Sequence, residues 1–244
     1  MTNSFTAPSA SVFANGPLVA AADFQDQFDR LKRWGRGAAP ADPGGAPAAV
    51  TCDEVLAALA TPRTGEVVSL SLPWDRTGGS HNPRPALHHM VDRGDVEAPE
   101  PSAHKDFIAI DYHGKAVSHL DALCHIGYRG ELYGGVPTAE AFTSLGSSWG
   151  AVTELSTRLV LRGVLLDIPA MRDVDWLEPG TAVLAEDVLA AEQALGFTIR
   201  RSDAVLLRSG HHARRATLGP WDADAASAGL HVDAMPLLAE RGIA

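Results

Sequence analysis

Two short apolar segments bracket an amphipathic helix, and that succession constrains the fold more than any other feature of the chain. Leu159–Asp167 (LVLRGVLLD) and Ala204–Arg208 (AVLLR) read as buried strands. Between them Glu186–Leu195 carries apolar residues at helical spacing and stops at Gly196. Strands alternating with helices indicate an α/β or α+β domain. Further strands are expected at Val67–Leu72 (VVSLSL) and Phe107–Tyr112 (FIAIDY). A helix is expected from Asp23, as its N-cap, with Phe24, Phe28, Leu31 and Trp34 on one face and Gly35 as its stop. Thr51–Ala60 has Thr51 followed three residues later by Glu54, the spacing of a capping box. Val232–Arg241 reads as a last helix closed by Gly242. Residues 1–22 read as a flexible lead, residues 23–244 as one domain, and Gly35–Pro47 and Pro73–Lys105 as loops. Ile243 and Ala244 read as the start of a strand, so the domain is expected to lack its C-terminal part.

Composition excludes several classes. The 244 residues carry 30 acidic and 20 basic side chains, a formal charge of −10, which argues against a nucleic-acid backbone as partner. No apolar run approaches the ~18 residues of a membrane span. The first thirteen residues lack the basic and apolar regions of a secretory signal, and Cys52 and Cys124 alone make no disulfide framework. The expectation is a cytoplasmic, enzyme-sized domain.

The segment His113–His125 (HGKAVSHLDALCH) concentrates the chemistry. His119 and Asp121 are two residues apart, and in an extended chain such residues face one side, with Cα atoms about 6–7 Å apart. His125 has the same parity. Leu120, Ala122 and Cys124 would face the core, with Cys124 a buried thiol. Imidazole beside carboxylate suits Zn²⁺, Mn²⁺ or Fe²⁺. A solvated polar strand edge is the alternative.

The stretch Ser118–His125 resembles the T-H-x-D-A-x-x-H core of the cyclase family, which includes bacterial kynurenine formamidases and isatin hydrolases. The segments FQDQFDRLKRWG, DVDWLEPG, AVLLRSG and Gly229–Gly242 follow in that family's order. The resemblance implies an α/β fold of β/β/α arrangement with a central mixed sheet. It also implies a metal-dependent, arylformamidase-like hydrolase of amide or cyclic-amide C–N bonds, with an N-formylkynurenine-type substrate from tryptophan breakdown. By the same resemblance His119 and Asp121 bind the metal and His125 transfers protons. The family's preceding histidine falls at Lys115, so His113 is the substitute ligand by way of a strand bulge. The remaining family ligands lie beyond the end of the chain, which implies a divalent Zn or Mn held weakly or absent. A small-molecule amide is the expected partner, and a homodimer the expected assembly. An incomplete or non-catalytic protein of the same fold is the alternative from a different class.

Other motifs rank lower. Gly146–Gly150 matches G-x-S-x-G, with Asp222 and His231 following in triad order. The preceding Thr138–Leu145 reads as a helix, whereas a nucleophile elbow needs a strand there, so Ser148 is expected not to be a nucleophile. His211 and His212 follow a strand, and His81, His88, His89, His104 and Trp74 occupy the long loop. All are expected to be surface groups.

Overall fold

A computed structural model describes residues 16–34, 41–94 and 100–244. The helices are α1 (Ala21–Leu31), α2 (Cys52–Leu59), α3 (Thr138–Ala141), α4 (Ile168–Met171), α5 (Ala185–Leu195), α6 (His211–Leu218) and α7 (Met235–Arg241). The strands are β1 (Leu87–Asp92), β2 (Lys105–Ala109), β3 (Phe142–Thr143), β4 (Gly146–Ser147), β5 (Gly163–Asp167), β6 (Ala182–Val183), β7 (Ala204–Arg208) and β8 (Gly229–Leu230). The content is mixed α/β. Among the described residues the strands pair two by two: β1 with β2 and β3 with β4 antiparallel, β5 with β7 and β6 with β8 parallel. No described helix is long and apolar enough to cross a membrane. The chain forms two compact units. One takes Glu66–Leu120 and Arg215–Ala226, and the other takes the rest.

The larger unit holds the main apolar core. β5 alternates as a half-buried strand should, with Val164 and Leu166 inward and Leu165 exposed. Leu166 is fully buried and packs with Ile168, Leu177, Val183, Val188 and Ile199. The carboxylate of Asp167 accepts the Ala170 N–H and so turns the end of β5 into α4. The capping box of α2 is formed in full: Glu54 N–H donates to Thr51 Oγ1 at 3.3 Å, and Thr51 N–H donates to Glu54 Oε2 at 2.7 Å. α5 and α7 end at Gly196 and Gly242, both left-handed.

Several expectations change. Helix α1 begins at Ala21, so Asp23 lies in its first turn and is not its cap, while Trp34 follows the helix and meets Phe28 edge-on. The lead up to residue 15 and the expected stop at Gly35 lie outside the described residues. The strand expected from Leu159 starts only at Gly163. Val67–Leu72 pairs with no strand among the described residues, and Val67, Val68 and Leu70 are exposed. β propensity records a preference for packing and makes no ladder without a partner. The long loop after Pro73 contains β1, which pairs with β2. The strand expected over Phe107–Tyr112 begins at Lys105 and ends at Ala109, opposite Leu87. Continuing that register would set Asp111 opposite Pro85, which has no N–H to donate. Its Phe107 and Ile108 are exposed, so β2 is not the buried strand expected. Ile243 and Ala244 form no strand. Ile243 packs on the core and Ala244 N–H donates to the Asp203 carbonyl.

Leu166→Ala is expected to cost about 2–5 kcal/mol in denaturant unfolding, the range for an emptied leucine site. A pH test follows from Glu54, whose carboxyl is held down at about 2, first by the Thr51 N–H, then by the Thr51 hydroxyl, Ser202 and Arg201. A depressed carboxylate adds stability above its ordinary range, and that contribution disappears as pH falls toward about 2. Glu54→Gln should therefore lower the Tm at neutral pH, and its gap to wild type should close between pH 4.5 and 2.

Candidate metal centre

The histidine-rich segment is irregular, not a strand. Gly114 has φ of +119°, a conformation that disfavours any side chain, and it breaks the chain between His113 and Lys115. Ala116 and Val117 are buried and seat the next turn. Leu72 N–H donates to Ser118 Oγ at 2.8 Å, which fixes the residue before His119. His119 Nδ1 lies 2.8 Å from the Val117 carbonyl oxygen. A carbonyl only accepts, so Nδ1 carries the proton and Nε2 is left as the ligand atom.

One ligand atom from each of His113, His119 and Asp121 lies within 4.8 Å of the other two. The rings of His113 and His119 are 5.7 Å apart and nearly perpendicular, and the Tyr112 ring stands 4.8 Å from the first and 5.8 Å from the second. The chain passes between its compact units after Leu120. The three side chains share one short stretch of backbone, so their spacing is set locally. Two imidazoles and a carboxylate are a donor set for Zn²⁺ or Mn²⁺. Bonds of about 2.0–2.1 Å in a tetrahedral site place ligand atoms roughly 3.3 Å apart. Exposed side chains close the difference by rotamer changes, so the residues fit an ion.

His125 ends a short 3₁₀ turn, Leu123–His125, and its Nε2 is 4.0 Å from Asp121 Oδ1. That turn is tied by Cys124 N–H donating to the Gly150 carbonyl at 3.1 Å. Gly150, at φ +63°, lets the backbones approach: a Cβ there would sit 3.3 Å from Leu123 Cβ and from the Cys124 nitrogen. Two expectations for this segment fail, because no ladder holds its parity. Leu120 is exposed, not turned to the core, and Cys124 is half-buried. For the same reason His113 joins the cluster through the Gly114 turn and not through a strand bulge.

The remaining histidines are placed elsewhere. His88 Nε2 pairs with Asp106 at 2.9 Å, His81 Nε2 with Asp75 at 3.3 Å, and His104 Nε2 with Ser102 at 3.3 Å. Trp74 and His89 are exposed, and His211 and His212 open α6. Asp75 is held below the usual carboxylate range, first by the Thr77 N–H. The helix expected over Thr138–Leu145 stops at Ala141 and the two-residue strands β3 and β4 precede Ser148, but only a 3₁₀ turn, Val152–Leu155, follows, and the Ser148 hydroxyl donates to the Ala141 carbonyl at 3.3 Å, so Ser148 does not stand on an elbow. Sequence reasoning missed the groups that seat the cluster, Val117 through its carbonyl and Arg84 through Asp111 at 2.9 Å. A backbone carbonyl leaves no trace in a sequence, and the Arg84–Asp111 pair depends on the β1–β2 register.

Residues 68–244 match the family model Cyclase, described as "Putative cyclase". A crystal structure described as that of a novel cyclase superimposes with a TM-score of 0.76 at 26% identity, covering 88% of this chain and 74% of that one. No curated protein matches.

A fluorophosphonate probe is expected to leave Ser148 unlabelled. Labelling that disappears in Ser148→Ala, read by mass spectrometry, would overturn the hairpin argument.

Proposed function

The chain belongs to the cyclase family, and we propose that it is a metal-dependent hydrolase of amide or cyclic-amide C–N bonds, acting on arylformamides of the N-formylkynurenine type. The observation that carries this reading is the convergence of His113, His119 and Asp121 within 4.8 Å, in a chain of that family. His113 and His119 supply neutral nitrogens and Asp121 a negative charge that favours a divalent cation. When bound, Zn²⁺ or Mn²⁺ supplies a water of lowered pKa and polarises a carbonyl. Val117 keeps His119 in the tautomer that presents Nε2. His125 is the proton-transfer group: it accepts the proton of the attacking water and returns it to the leaving nitrogen. Asp121, 4.0 Å away, stabilises the imidazolium between those events. The substrate would be a small molecule and the assembly a cytoplasmic homodimer. The fold would be the β/β/α arrangement around a central mixed sheet.

Lys115 favours a second reading, a non-catalytic protein on the same scaffold. It stands where the family has a histidine, and its ammonium donates to the Ala223 carbonyl at 2.7 Å. Metal binding and turnover separate the two. Hydrolysis of N-formylkynurenine is expected to need added Zn²⁺ or Mn²⁺ and to stop with a chelator. His119→Ala and Asp121→Ala should abolish it, and His125→Gln should lower kcat by about 10²–10⁴-fold with the metal still bound. Metal-independent turnover that survives His119→Ala would sink the proposal, and a protein that binds no ion and turns over nothing would support the second reading.

A further inference from the structure

His113 joins the cluster from an exposed loop beside the Gly114 turn. The structure shows two polar ties on its loop, both inside the smaller unit. Two residues before His113, the Asp111 carboxylate receives Arg84 Nε at 2.9 Å. Two residues after it, Lys115 Nζ donates to the Ala223 carbonyl at 2.7 Å. The acceptor is itself built: Asp222 Oδ1 accepts the N–H groups of Asp224 and Ala225, both at 3.1 Å, and Trp221 Nε1 donates to the Ala226 carbonyl at 3.0 Å. That turn presents the Ala223 carbonyl toward Lys115. Between the ties lies a polar recess of roughly 110 Å³ lined by His81, Arg84, Asp111, His113, Lys115 and Asp222. Ligand pockets usually run to about 300–1,000 Å³. The recess is too small for an aryl substrate and is framed as a support for the loop.

We propose that Lys115 is a positioning residue: its bond to the Ala223 carbonyl holds the Gly114 turn so that His113 stays within ligand reach of His119 and Asp121. At Gly114 the φ of +119° lets the chain reverse, and the lysine tie makes that reversal persistent. Groups that orient a ligand without touching the ion typically govern metal affinity by 10–100-fold. The metal half of this inference rests on the hydrolase reading above; the latch half does not.

The test uses the full chain labelled with ¹³C-histidine. Metal-free wild type is expected to show NOEs between the ring protons of His113 and His119. Lys115→Met should lose them while β1–β2 cross-strand NOEs persist, and Lys115→Arg should keep them. Asp222→Ala, which leaves Lys115 in place but removes the cap of the Ala223 turn, should also lose them. Calorimetric titration with Zn²⁺ should then show affinity about 10–100-fold weaker in Lys115→Met and Asp222→Ala, and largely restored in Lys115→Arg. Unchanged NOEs and unchanged affinity in Lys115→Met overturn the proposal. Wild type that binds no Zn²⁺, with the NOEs still lost in Lys115→Met, sinks the metal reading and leaves the latch standing.

Discussion

The parallel pair of β5 and β7 is locked at both ends by ion pairs, and the larger unit is organised around it. At the start, Asp203 takes Arg162 through Nε at 2.8 Å and Nη2 at 2.5 Å, and accepts the Arg200 N–H at 2.7 Å. Asp203 is 3% exposed, and its buried charge is tolerated because both carboxylate oxygens accept hydrogen bonds and one guanidinium pairs with it. The same contact raises the Arg162 pKa. At the far end Asp167 and Arg208 stand opposite each other in the register and pair at 2.7 Å. A one-residue slip would separate both pairs and turn Val164 and Leu166 away from the core, which is why the register is unique. Asp203 also receives Ala244 N–H at its carbonyl, and Ser202 N–H donates to the Gly242 carbonyl, so the end of α7 closes against the start of β7.

The histidine-rich segment is held by different means. In Glu66–Leu120 the buried residues are few, Asn82, Ala86, Ala116 and Val117 among them, while Leu87, Met90, Val91 and Phe107 are exposed. With little apolar burial, order there comes from hydrogen bonds: Asn82 Nδ2 to the carbonyls of Asp75 and Thr77, Leu72 to Ser118, and His119 to Val117. Each contributes about 1 kcal/mol net, and solvent competes for it. A segment with few buried apolar contacts opens at lower free energy than a core strand. The consequence for chemistry is an exposed donor cluster whose ligands can adjust to an incoming ion.

What the sequence by itself determined was local. Ala204–Arg208 is a strand with the bounds read from its residues, a short apolar run that finds a parallel partner in β5. Thr51 with Glu54, and Gly196 and Gly242 as helix ends, act through neighbours a few residues away, so their patterns survive in one dimension. The grouping of His119, Asp121 and His125 is legible for the same reason: they lie within seven residues, and the motif's resemblance to the cyclases agrees with the family match over residues 68–244. Tertiary structure alone decided the rest. Val67–Leu72 and Phe107–Tyr112 have strand-forming residues, but a ladder needs a partner, and Pro85 limits the one that β2 has. β1 was hidden because LHHMVD shows no apolar alternation; only pairing with Lys105–Ala109 makes it a strand. His113 is named as a ligand through the motif resemblance alone; the turn at Gly114 that lies between it and His119, and the contacts of its loop at Arg84 and Ala223, the latter 108 residues from Lys115, exist only in the folded chain. Hydrogen bonds across such separations depend on how the whole chain returns on itself, and no spacing rule along a sequence encodes that.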